Sequence, residues 1–244
     1  MDNKFILVSQ ILGISVDMVK SVYNRHLTKI NTKEKSQLIH NEKDVDSSWI
    51  KEKIDDENYK IIDVGGNGDC FFHVLRHSFR NSYSVKQLRE IVSSNITEYI
   101  YNTWSVLYKD SLKDLEESNK TLLRTKNEDR KQKIKEDISS TKSIINDYRF
   151  MKNVKSLQDL RNVIKTSEYW ADEVSINILR DVLDVEFIIF DYSNLNIRKN
   201  IDKNKSYYIL VNYTGGHYQL VTHKDKFLFE YNTLPKSLKS YLLN

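Results

Sequence analysis

The sequence predicts an α+β fold, a helical lobe around a small sheet, and three observations carry that expectation. Apolar residues recur at helical spacing from about residue 70 to residue 150. The last third changes to strand-like runs, VEFIIFDY (185–192), KSYYILVNY (205–213) and HYQLVTH (217–223). Strands therefore cluster after helices. A chain of 244 residues that is 39% apolar and 30% charged is long enough for a sizeable core and polar enough to be a globular protein in water.

At the N-terminus, residues 5–27 read as two short helices, the first closed by Gly13 and the second capped by Ser15. Their outline is that of a helix-turn-helix, but the second helix offers only Lys20, Arg25 and His26 to phosphates. Residues 29–58 read as a linker with a loose helix anchored by Trp49 and Ile50. YKIIDV (59–64) has the branched residues of a buried strand. CFFHVLRHSF then runs at helical spacing, with Phe71, Val74, Leu75 and Ser78 on one face, so Cys70 falls in a first helical turn. A second helix is expected over 84–101, opened by Ser84, with Leu88, Ile91, Val92, Ile96 and Tyr99 in one stripe.

Between 104 and 150, Leu107, Leu112, Leu115 and Leu122 precede the polar break TKNEDRKQK, and Ile134, Ile138, Ile145 and Tyr148 follow it. That pattern predicts two antiparallel helices forming an arm, nearly neutral with 11 basic and 9 acidic residues. A helix near 175–183 precedes the strands, FLFEY (227–231) adds a fourth strand, and Pro235 opens a terminal helix.

The totals also exclude. No apolar run approaches the roughly 18 residues of a membrane span. The start MDNKFILVSQILGI lacks a small-residue cleavage site, so no secretory signal is expected. A single cysteine rules out an internal disulfide and a thiolate zinc cluster, and points to a reducing, cytoplasmic compartment. The net charge of +4, from 38 basic and 34 acidic residues interspersed, does not demand nucleic acid.

The stretch GGNGDCFF (65–72) places three of the chain's six glycines just before its one thiol. Cys70 is either a small buried hydrophobe or a nucleophile aimed by the turn. For the second reading, a helix N-terminus and a nearby imidazole would lower a thiol pKa of about 8.5. The backbone amides of Asn67, Gly68, Asp69 and Cys70 would cradle an oxyanion, where one donor typically contributes about 2.7–4 kcal/mol. His73 and His77 lie on the nucleophile's own helix, with His73 partly within reach. His217 is the better-placed base, after a glycine pair in YTGGHYQLV and 217 − 70 = 147 residues downstream. Strand alternation puts His217 and Gln219 on one face, so Gln219 is expected to accept the imidazole Nδ1 hydrogen bond.

NGDCFFHVL resembles the nucleophile motif of the OTU (ovarian tumour) cysteine proteases, Asp-Gly-x-Cys followed by two apolar residues. GGHYQLV resembles their His-Tyr-x-x-Val strand, and EYWADEVSINILRDVLDVEFIIFD resembles the tryptophan-bearing segment between them. The match covers roughly 59–101 and 165–231. It implies a papain-like fold, a small mixed sheet flanked by helices, in which 59–244 form the catalytic domain with the arm (about 104–150) inserted. Residues 1–58 would be a helical extension and linker. The implied activity is hydrolysis after the C-terminal glycine of ubiquitin or a ubiquitin-like modifier, with ubiquitin or polyubiquitin as partner and no metal or organic cofactor. Cys70 would be the nucleophile, His217 the base and Asn67–Asp69 the oxyanion loop. Two positions depart from the family pattern: Asn67 replaces a usual Asp, and Gln219 replaces an Asp or Asn, which brings no charge to an imidazolium. A ubiquitin-binding protein without activity, and a helical DNA-binding or scaffold protein, are the competing expectations.

Overall fold

The computed structural model describes residues 43–243. The helices expected over 5–27 lie outside the described residues. In chain order the elements are β1 (Lys43–Val45), α1 (Ser48–Ile54), β2 (Tyr59–Asp63), α2 (Cys70–Ser78), α3 (Val85–Asn95), α4 (Glu98–Arg124), α5 (Glu128–Asp147), a 3-10 turn (Arg149–Asn153) and α6 (Leu157–Ile164). There follow α7 (Glu173–Val182), β3 (Val185–Asp191), β4 (Asn196–Ile197), β5 (Tyr207–Tyr213), β6 (Tyr218–His223), β7 (Leu228–Phe229), a second 3-10 turn (Tyr231–Thr233) and α8 (Lys236–Leu243). The fold is α+β with a small mixed sheet flanked by helices. Its described residues form two compact units, the first of residues 43–92 and 170–243 and the second Ser93–Tyr169.

The first unit is built on a seven-stranded sheet ordered β1-β2-β6-β5-β3-β4, with β7 beside β5. β3 and β5 are parallel and every other pairing is antiparallel. Both faces are covered, which is why β3 and β5 read as continuous apolar runs rather than alternating ones. On one face Tyr59, Ile61, Ile188, Phe190, Tyr208, Leu210 and Val221 pack with Ile50 and Ile54 of α1 and Leu238 of α8. On the other, the Phe71 ring of α2 stands edge-on against Phe187 and Tyr218, each 5.1 Å away. The segment read as linker thus contributes a strand and a core helix.

The single helix expected over 84–101 is two helices. Ser84 and Gln87 form a reciprocal cap that starts α3: the Ser84 hydroxyl accepts from the Gln87 amide (3.2 Å) while the Gln87 carbonyl oxygen accepts from the Ser84 amide (2.9 Å). Thr97 is extended at φ −96°, ψ 163°, and caps α4 through its hydroxyl on the Ile100 amide. Tyr99 belongs to the new helix and is 78% exposed, not part of the buried stripe.

The second unit is the antiparallel pair α4 and α5, joined by the short turn 125–127, together with α6. Its seam runs through Trp104, Tyr108, Ser111, Leu115, Ser118 and Leu122 on α4, Lys131, Ile134, Ile138, Thr141 and Ile145 on α5, and Tyr148 at the C-cap of α5, all buried or half-buried. The alternating three- and four-residue steps are those of a coiled-coil seam. Leu112, expected inside, is 42% exposed because Ser111 takes the inward position. One end of the seam is closed by aromatic rings, with Trp104 5.4 Å from Phe150 and Phe150 5.0 Å from Tyr169. No described helix is long and apolar enough to cross a membrane.

Candidate active site

Cys70 is the first residue of α2, delivered there by a turn that only particular residues can make. Gly65, Asn67 and Gly68 all have positive φ, at 108°, 59° and 86°. Two are glycines and the third is asparagine, which tolerates the left-handed region better than most side chains. The Asp69 amide donates to the Gly66 carbonyl at 3.3 Å, closing the turn, and the Asp69 carbonyl receives the first bond of α2 from His73. Asp69 uses its side chain elsewhere and makes no cap with it.

The thiol environment differs from the expected one. Cys70 is 8% exposed, and burial pushes its pKa above the ordinary thiol value. The amides of Tyr218, Phe71 and Cys70 itself act the other way by hydrogen bonding to the sulfur, and the nearby Asp63 carboxylate reinforces the rise. The helix end is present, but desolvation outweighs it.

Strand register explains how the imidazole is held. β2 and β6 are antiparallel with Ile62 opposite Leu220, so one step further Asp63 faces Gln219. Directly opposed residues share a face, as do residues two apart on one strand, so Asp63, His217 and Gln219 all project to one side. His217 Nε2 lies 3.1 Å from Asp63 Oδ1, and the same oxygen accepts from the Gly65 amide at 3.0 Å. Burial acts to raise the Asp63 carboxyl, but the Gly65 amide, His217 and the Gln219 side chain together hold it below its ordinary value. With Nε2 engaged, Nδ1 is the ring nitrogen left for a second partner. The sulfur in turn meets the amide of Tyr218, the residue following His217.

Gln219 was expected to hold the ring, and it does not. Its carbonyl oxygen accepts from Asn212 Nδ2 at 2.7 Å across the β5–β6 pair, and its amide group supports Asp63 from behind. The carboxylate comes instead from the strand preceding the thiol. Gly66 lies beneath the ring: a Cβ there would sit 3.7 Å from His217 Cε1. His73 packs by Gly65, its Nδ1 buried without a partner, and burial lowers its pKa. It faces neither carboxylate nor thiol through any hydrogen bond.

Of the oxyanion-loop residues, Asp69 has its amide committed to the Gly66 carbonyl, which leaves the amides of Asn67, Gly68 and Cys70 for an oxyanion. The loop is gripped from behind by Arg89 of α3, which is 2% exposed. Its Nε donates to Asp69 Oδ1 at 2.8 Å, and its Nη2 reaches that oxygen at 2.6 Å and the Gly68 carbonyl at 2.9 Å. The guanidinium also lies 4.4 Å over the Phe72 ring. Sequence reasoning missed Asp63 and Arg89. Arg89 did leave a signal, being the one cation on the apolar stripe of Leu88 and Val92.

No protein-family model matches the chain, and no curated protein matches it by sequence. Among solved structures it is similar to an ovarian tumor (OTU) domain in complex with ubiquitin, at 21% identity and a TM-score of 0.43, over 87% of this chain and 93% of that one.

Proposed function

We propose that this chain is a cysteine protease that hydrolyses isopeptide or peptide bonds at the C-terminus of ubiquitin or a ubiquitin-like modifier, working in the cytoplasm of its own cell or of a host. The observation that carries the reading is the Asp63–His217 pair at 3.1 Å beside a segment whose next amide meets the Cys70 sulfur. The motif resemblance supplies the substrate class. In this reading His217 Nδ1 takes the thiol proton, the thiolate attacks the carbonyl of the modifier's last glycine, and the Gly68 and Cys70 amides stabilise the oxyanion. His217 returns the proton to the leaving lysine amine, and water then releases the acyl group from sulfur. Asp63 fixes the tautomer and stabilises the imidazolium, the role for which Gln219 lacks a charge.

The buried, pKa-raised thiol favours one competing reading, a ubiquitin-binding protein without turnover. A ubiquitin carrying a C-terminal electrophile separates the two. Adduct formation that disappears in Cys70→Ala supports the protease, whereas binding without adduct at any pH up to 9 sinks it.

A further inference from the structure

We propose that Arg89 is a positioning residue that locks the Gly68–Asp69 peptide of the oxyanion loop. The inference rests on the cysteine-hydrolase reading and adds to it a residue that never touches substrate.

Two of the amides left for an oxyanion, those of Gly68 and Cys70, bracket the Gly68–Asp69 peptide. Gly68 sits at φ 86°, and glycine passes between backbone regions with little steric cost, so this peptide is the part of the loop most easily turned over. Turning it would reverse the Gly68 carbonyl and break the Asp69 amide's bond to the Gly66 carbonyl, so the turn that carries the amides on either side would lose its closure. The guanidinium opposes that movement twice, through the carbonyl at 2.9 Å and through Asp69 Oδ1 at 2.6 Å and 2.8 Å. A planar fork can hold a carbonyl and a carboxylate together, whereas a lysine ammonium acts as a point charge. The Phe72 ring at 4.4 Å fixes the plane of the fork, and Phe72 belongs to the same helix as Cys70. Arg89 therefore ties the loop to the helix that carries the nucleophile. A buried cation is costly to maintain for stability alone, since an apolar residue would fill the same space at no desolvation cost.

Two reactions of Cys70 separate positioning from general support. Iodoacetamide alkylates the sulfur by displacing iodide, and no oxyanion develops at the carbon attacked. p-Nitrophenyl acetate acylates it through a tetrahedral oxyanion, forming the S–C bond and releasing p-nitrophenolate. In Arg89→Lys, ester acylation and kcat on a ubiquitin C-terminal amide fall 10–100-fold, while the alkylation rate, its pH profile and KM stay within about twofold. Asp69→Asn, which keeps the Gly68 contact, shows the same signature at 3–10-fold and serves if Arg89→Lys fails to fold. Equal loss of alkylation and acylation, or no loss of acylation, overturns the proposal. Wild type that is acylated by the ester in an Arg89-dependent way but leaves the ubiquitin amide intact upholds the lock and sinks only the substrate assignment. Wild type that the ester does not acylate overturns both.

Discussion

The Asp63 carboxylate and the His217 imidazole meet at 3.1 Å although 154 positions separate them in the chain. The pairing of β2 with β6 brings them there, and it makes Asp63 rather than Gln219 the group that answers charge on the ring.

Asp63→Asn keeps the shape and removes the charge. On a fluorogenic ubiquitin amide, kcat is expected to fall about 10²–10⁴-fold with KM little changed, as for the carboxylate of a catalytic triad. Gln219→Ala, acting only behind Asp63, should cost about tenfold or less. The opposite ranking would return the third role to Gln219.

The same substitution should move the thiol the other way. Asp63 helps raise the Cys70 pKa, so removing its charge shifts the pH profile of iodoacetamide alkylation to lower pH while turnover falls. In the wild type the alkylation rate should still be climbing above about pH 8.5, the free-thiol value. A profile centred below that value would mean that the thiolate is stabilised already at rest.

Glycine substitutions in the turn should divide by backbone conformation. Gly68→Ala places a side chain at φ 86° and should cost about 1–2 kcal/mol of stability along with most of the activity. Gly66→Ala adds a methyl in ordinary contact with His217 and should leave the melting temperature nearly unchanged. Thermal melts of both variants check the contrast.

Acid stability should depend on Asp56. Burial acts to raise this carboxyl, but Ser237, Asn58 and His223 outweigh it and hold it well below the ordinary range. A depressed carboxylate contributes stability that is present above its unfolded pKa, about 3.9, and is lost as pH falls toward the folded value. The melting temperature should therefore drop below about pH 4, and Asp56→Asn, less stable at neutral pH, should show a shallower drop over that range.

What could be read beforehand was whatever is written locally. The turn at 65–69 and the helix after it are spelled by glycine spacing and apolar periodicity, so the placement of Cys70 was legible. The His217 strand was legible by alternation. Asp63 was not, because its role is set by strand register, and nothing in YKIIDV says which distant residue will lie opposite. β4 and β7 span two residues each and β1 three, too short for a period. The break at Thr97 was hidden because the apolar spacing of α3 continues in phase into α4, and only the cap distinguishes one helix from two. Burial around the sulfur was hidden too, since it is set by how the elements pack around the start of α2 and not by the local pattern.

The arm's seam is apolar and aromatic where Trp104 meets Phe150, but carries Ser118, Lys131 and Thr141 along its length. Its two helices are thus fastened most firmly at one end, like a clothes peg. Backbone deuteration should spread inward from the 125–127 bend and stop at the rings, with amides near the bend opening at far lower free energy than those beside Trp104.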